Sequence, residues 1–166
     1  MSFAHFPGRS HASAHALLIP ASLALLLVAC SPSGGGGATT TVNVTGADYA
    51  FVSDKVSVPA GKVHFVFSNK STTNLHELWV YPQNQPRLQE MVTTKESGQD
   101  VAEKDYLQNV AGNVDDVPIG QTMGFDATLA PGTTYEFGCF VTSAVDGQQR
   151  NHYALGMHVP LTVTAN

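Results

Sequence analysis

Apolar and polar residues alternate over several short segments of this chain, the two-residue period of a half-buried strand. Val63, Phe65 and Phe67 share one phase of the segment Lys62 to Ser68, and Val159, Leu161 and Val163 share one phase of the segment Val159 to Thr164. Thr41 to Thr45 and Val56 to Val58 are similarly rich in Val and Thr, and Gly46, Pro59 and Gly61 separate these runs as turn residues do. Leu75 to Tyr81 reads as a further strand. Gln121 to Leu129 and Thr134 to Phe140 flank the turn Ala130-Pro131-Gly132. The spacing predicts an all-β Greek-key sandwich or barrel. Between Pro82 and Gly120 the pattern weakens into one polar excursion, where Asp100 to Gln108 is expected to form a short helix.

The phase of each strand orients its side chains. In Leu75 to Tyr81, His76 is in register with Leu78 and Val80, whereas Glu77 falls on the other side. Trp79 shares the phase of Leu75 and Tyr81 and is expected beneath the polar excursion. Tyr135, Phe137 and Cys139 share one face. Extending the phase of the last strand backward puts Met157 inward and His158 outward. His64 is out of register with its apolar neighbours and is expected on the opposite face. Three inward side chains, His76, Cys139 and Met157, thus converge on one end of the sandwich. His152 lies in a loop where periodicity is silent, separated from Met157 by four residues.

The N-terminus changes the picture of location. Residues 1–29 contain no acidic residue, carry Arg9 in a short polar opening and run apolar from Ala16 through Ala29, the layout of an export signal. That run is short for a bilayer span. It ends in Leu27-Val28-Ala29-Cys30, which resembles the lipobox of bacterial lipoproteins; the resemblance implies cleavage before Cys30 and acylation of its thiol. Residues 30–40 read as a flexible Gly/Ser/Thr tether, and 41–166 as the folded domain. A lipid anchor would hold that domain at the membrane, in the periplasm or at the cell surface.

The 166 residues leave room for one compact domain. Of eight basic residues only Arg9 precedes Cys30, so the remainder faces thirteen acidic ones, and nucleic acid is not expected as a partner. With Cys30 acylated, Cys139 is the one thiol of the domain and cannot form an internal disulfide. Two imidazoles, a thiolate and a thioether match the blue-copper donor set, a His₂Cys plane with a long axial Met. Zinc prefers more Cys or His and rarely takes Met.

With these residues in view, the chain resembles the cupredoxin family. PAGKVHFVFSN precedes the first ligand, NLHELWVY surrounds it and APGTTYEFGC leads into the thiolate; the ending HYALGMHVPLTV is the most specific piece. The resemblance implies one type 1 copper ion held by His76, Cys139, His152 and Met157. It also implies that His152 is the more exposed imidazole and the exit for the electron. Two departures stand out. Twelve residues separate Cys139 from His152 where the family usually has a few, so loop 140–151 is an insertion. Glu77 follows the first histidine where several members carry Asn.

The function expected is single-electron transport between redox proteins by an exported, membrane-anchored monomer, docking through its acidic surface to a basic partner. The alternative is a copper-binding or delivery protein without an electron-transfer role. An enzyme is not expected: copper oxidases need further copper sites, and only four histidines, His64, His76, His152 and His158, follow Cys30.

Overall fold

The computed structural model describes residues 38–165; the proposed signal segment, Cys30 and most of the tether lie outside them. The strands are β1 (Thr40–Ala47), β2 (Ala50–Ser53), β3 (Ser57–Pro59), β4 (Gly61–Asn69), β5 (His76–Pro82), β6 (Gly112–Val117), β7 (Thr122–Leu129), β8 (Thr134–Gly138), β9 (Thr142–Val145), β10 (Gln148–Asn151) and β11 (His158–Thr164). One sheet has the order β2-β1-β4-β7 and a second β3-β11-β8-β5-β6, while β9 and β10 form a separate hairpin. The chain crosses repeatedly between the two larger sheets. β1 runs parallel to β4, and β3 parallel to β11; the other pairings are antiparallel.

The alternation seen in the sequence is what closes the sandwich. Val42 and Val44 of β1 and Val63, Phe65 and Phe67 of β4 meet Leu78 and Val80 of β5, Phe137 of β8 and Leu161 and Val163 of β11 in one buried cluster. Phe65 stands at its middle. Its ring stacks on Phe125 at 5.1 Å between centroids and meets Phe137 edge-on at 5.8 Å.

β5 and β8 depart from the half-buried pattern because residues on both their faces are buried. Trp79 and Tyr81 leave the main core and pack with Met91, Val92, Leu107 and Phe140 in a second cluster. Most of that cover is the polar excursion, so Trp79 does lie beneath it. The helix, however, is not where the sequence placed it. α1 spans Leu88–Glu96, and the stretch from Asp100 to Gln108 holds only a single 3₁₀ turn, Glu103–Asp105. The helix position follows local signals: Pro86 stands just before it, Arg87 bonds Glu90 at 2.7 Å within the first turn, and Gly98, at φ 85°, follows its end. Val101 and Leu107 instead reach the second cluster from irregular backbone.

Truncating the central aromatic measures how far the sandwich depends on its pattern. Phe65→Ala is expected to lower unfolding stability by about 3–5 kcal/mol, the usual cost of emptying a buried aromatic site. Urea denaturation of the two chains checks this, and a loss below about 1 kcal/mol would mean that the core collapses around the gap.

Candidate metal centre

Both inward histidine and cysteine positions lie at strand ends. His76 opens β5, and Cys139 follows the last residue of β8. The loop before His76 is shaped by two side chains. Asn69, fully buried at the end of β4, donates through Nδ2 to the carbonyls of Asn74 (3.0 Å) and Val117 (2.8 Å) and accepts the Ser71 N–H at 2.9 Å. Asp48, in the β1–β2 turn, accepts the Ser71 hydroxyl, the Thr72 N–H (3.2 Å) and the Thr72 hydroxyl (3.1 Å). The N-terminal sheet is thereby tied to the strand that delivers the first histidine.

Loop 140–151 is an ordered hairpin. β9 and β10 pair from Thr142↔Asn151 to Val145↔Gln148 around Asp146-Gly147, both at positive φ as a tight two-residue turn requires. The His152 N–H donates to the Val141 carbonyl at 2.9 Å, and Asn151, fully buried, donates through Nδ2 to the Phe140 carbonyl at 2.7 Å and accepts the Tyr153 N–H at 3.0 Å. The insertion closes on itself, so its two ends, Cys139 and His152, stay together despite its length. Met157 joins them through backbone bonds: its N–H donates to the His152 carbonyl (2.9 Å), and its carbonyl accepts the Cys139 N–H (3.2 Å).

His76, Cys139, His152 and Met157 are all fully buried. Nδ1 of His76 lies 3.1 Å from Nδ1 of His152; Cys139 Sγ lies 3.7 Å from the first and 3.5 Å from the second. Among the described residues this is the one group of three or more His, Cys, Asp or Glu close enough to share an ion. Metal–nitrogen bonds of about 2.0 Å and metal–thiolate bonds of about 2.3 Å, set at 120°, give nitrogen–nitrogen and nitrogen–sulfur separations of about 3.5 and 3.7 Å. The triangle fits a trigonal metal with little adjustment. Space beside Met157 is kept by Gly46, where a Cβ would fall 3.2 Å from Met157 Cε. Soft sulfur donors beside two imidazoles select copper, and one type 1 copper ion is the group that these residues fit.

The electrostatics favour an ion as well. Burial pushes the Cys139 thiol up, and the Glu77 carboxylate adds to this, although the N–H groups of Glu77 and Val141 donate to the sulfur. Burial holds His76 below its ordinary value, against the pull of Asp48. Burial and the neighbouring His76 push His152 down to about 4. Neutral imidazoles are ready to bind a metal; the thiol must lose its proton to do so.

One expectation needs correction. His152 is not the more exposed imidazole, because it has no solvent exposure. Ser143 of β9 places its Oγ 2.9 Å from His152 Nε2, and Tyr49 meets the ring edge-on at 5.1 Å. Glu77, although out of phase with His76, is also buried, since the excursion covers that face of β5. Its Oε1 accepts the Phe140 N–H at 2.6 Å, tying β5 to the residue after Cys139. His64 bonds Asp126 on the surface, and His158 reaches Glu136 at 3.2 Å; neither joins the triangle. Sequence reasoning missed Asn69, Asn151 and Ser143 as supports, and polar residues in loops give no periodic signal to find them by.

No protein-family model matches the chain, and no curated protein matches it in sequence. Solved structures do. Auracyanin from the photosynthetic bacterium Roseiflexus castenholzii is 21% identical, with 77% of this chain and 99% of that one covered at a TM-score of 0.56. Auracyanin B is 26% identical over 76% and 89% of the two chains at 0.52. Rusticyanin from Thiobacillus ferrooxidans is 17% identical over 77% and 79% at 0.53. These likenesses make the sandwich a cupredoxin fold.

Glu77 supplies a test in the metal-free chain. Burial, with Glu103 adding its charge, pushes this carboxyl from 4.5 up to about 8. The unfolded chain therefore releases the proton before the folded chain does, and stability falls as pH rises through that interval. The two depressed histidines act in the opposite sense, His152 between about 4 and 6.5, so their effect is complete at 6.5. Between pH 6.5 and 8 the metal-free chain is expected to lose up to about 1 kcal/mol per pH unit, and Glu77→Gln to remove that slope. Urea midpoints at the two pH values decide it; parallel losses in both chains would show that Glu77 is not the source.

Proposed function

We propose that this cupredoxin-fold chain is an electron carrier, exported and held at a membrane through Cys30, with His76, Cys139, His152 and Met157 as the ligands of one type 1 copper ion. The observation that carries the reading is the buried triangle of two Nδ1 atoms and one Sγ, joined by backbone hydrogen bonds to Met157. Copper bound there supplies a one-electron couple between Cu(I) and Cu(II).

The chain's own part is to keep one arrangement of donors for both states. His76 is fixed by its place in β5 and by the Asn69 and Asp48 ties, Cys139 by β8 and by two N–H donors to its sulfur, and His152 by the closed base of the hairpin. Neutral imidazoles accept the ion without first shedding protons, while the Cys139 proton leaves as the ion binds. The two N–H groups at the sulfur favour the thiolate and limit how much charge it donates.

Burial of all four side chains argues for retention of the ion over its delivery, because a hand-over would require the cage to open. The wide excess of acidic residues over basic ones favours a basic partner. A partner that reaches the ion by way of His152 meets the β9–β10 hairpin, since the imidazole itself is covered. Export and anchoring rest on the acid-free N-terminal run and Cys30. Among the described residues no helix is long and apolar enough to cross a membrane.

Visible and electron paramagnetic resonance spectra of the copper-loaded full-length chain test the centre. Intense blue absorption with the narrow copper hyperfine splitting of a type 1 site is expected, and Cys139→Ser is expected to abolish the blue band. A colourless chain, or one with only ordinary type 2 signals, would refute the electron-carrier reading.

The docking proposal has its own measurement. Electron exchange with a basic redox protein is expected to slow as salt rises from 0.01 to 0.1 M, over which the screening length shrinks from about 30 to about 10 Å. A rate indifferent to salt would remove the acidic surface from the account.

A further inference from the structure

A bare histidine edge at the surface would give a metal centre in a sandwich its shortest way out, yet in this chain a side chain of the β9–β10 hairpin lies over that edge. The covering element is built with some care. Asn151 closes its base on Phe140, and the Asn151 N–H also donates to Glu96 Oε1 at 3.0 Å, with Arg150 Nε 3.4 Å from the same oxygen. The C-terminal turn of α1 thus grips β10 from outside. Ser143, on the paired strand β9, stands over the ring of the residue that follows β10.

The two nitrogens of His152 face different groups. Nδ1 points to Cys139 Sγ and His76 Nδ1, and Nε2 lies 2.9 Å from Ser143 Oγ. When Nδ1 is committed to an ion, the ring's one proton sits on Nε2 and has to donate outward. In a site with no solvent exposure, Ser143 Oγ is the acceptor that the structure offers. An N–H left without an acceptor in such a place loses both protein and water as partners.

Resting on the copper reading above, we propose that Ser143 is a positioning residue for the metal centre: carried by the clamped hairpin, it accepts the His152 Nε2–H, sets the ring's rotation and stabilises the more positive state of the ion. A ring bound to Cu(II) is more acidic at Nε2 than one bound to Cu(I), so the hydrogen bond is stronger in the oxidised state. Its loss favours the reduced state.

The test compares Ser143→Ala and Ser143→Thr with the parent in the full-length chain. In the Ala variant the preference for Cu(I) over Cu(II), read from the reduction potential, is expected to rise by up to about fivefold, the worth of one whole neutral hydrogen bond. The His152 Nε2–H, seen by proton NMR in the diamagnetic Cu(I) form, is expected to exchange with water faster. Thr keeps the hydroxyl and is expected to restore both readings. An Ala variant with unchanged potential and unchanged N–H exchange overturns the proposal, as does a Thr variant that behaves like Ala while folding normally.

Failure of the copper reading looks different: the parent itself then shows no type 1 spectrum. In that event the cap is read without metal, by carbethoxylation of histidines followed by mass spectrometry. His152 should react far more slowly than the surface residue His64, and faster in Ser143→Ala than in the parent. Equal reactivity of His152 and His64 in the parent would overturn the cap itself.

Discussion

A thiol and two imidazoles sealed inside a protein, within hydrogen-bonding distance of one another, have no water to satisfy them. That burial is the constraint on which the rest of the structure turns. The sulfur is held neutral by desolvation while two backbone N–H groups wait to stabilise its anion, and the imidazoles are held neutral for the same reason. Such a cage is costly until a cation joins its donors. The fold must hold it closed in advance, and the elements around it can be understood as restraints on four side chains.

Three restraints come from different directions. β5 and β8 are adjacent antiparallel strands, so His76 and Cys139 are placed by the sheet itself. The N-terminal sheet adds the Asn69 and Asp48 ties, which make the approach to His76 a rigid corner. The excursion adds the third. Its helix and irregular flank bury the outer faces of β5 and β8, and with them Glu77, whose carboxyl bonds the Phe140 N–H beside the thiolate. This chain makes the tie with an acid and keeps that acid in the protein interior. The Lys95–Glu103 pair, largely buried, closes the same side.

How much of this was legible in the sequence follows from which forces leave a periodic trace. Strands with one face in the core announced themselves through Val63, Phe65 and Phe67 or Leu161 and Val163, and the inward phase of His76, Cys139 and Met157 could be read from their neighbours. β5 and β8 were legible as strands, and Trp79 could be placed beneath the excursion, but Tyr81 and Glu136 look like outward residues until something is known to pack over them. The excursion's helix was misplaced for a related reason. Its buried side is only Met91 and Val92, too little for a helical period, and its true markers were Pro86 and Gly98 at the ends. The hairpin was readable in principle from Asp146-Gly147, but its sides, Thr142 to Val145 and Gln148 to Asn151, carry no apolar alternation. The groups that lie over His152 include a serine hydroxyl, and no pattern in one sequence singles out that serine from the others.

The self-closed base of the hairpin has a consequence for how such a protein can change over generations. With Asn151 spanning from Phe140 to Tyr153 and His152 bonded to Val141, everything beyond those contacts hangs from a joint that already satisfies its own backbone. Residues 144–149 can therefore vary in identity, and even in number, without the ligands registering the difference. The outer shape of the hairpin tip and the inner chemistry of the buried donors can therefore change on separate clocks.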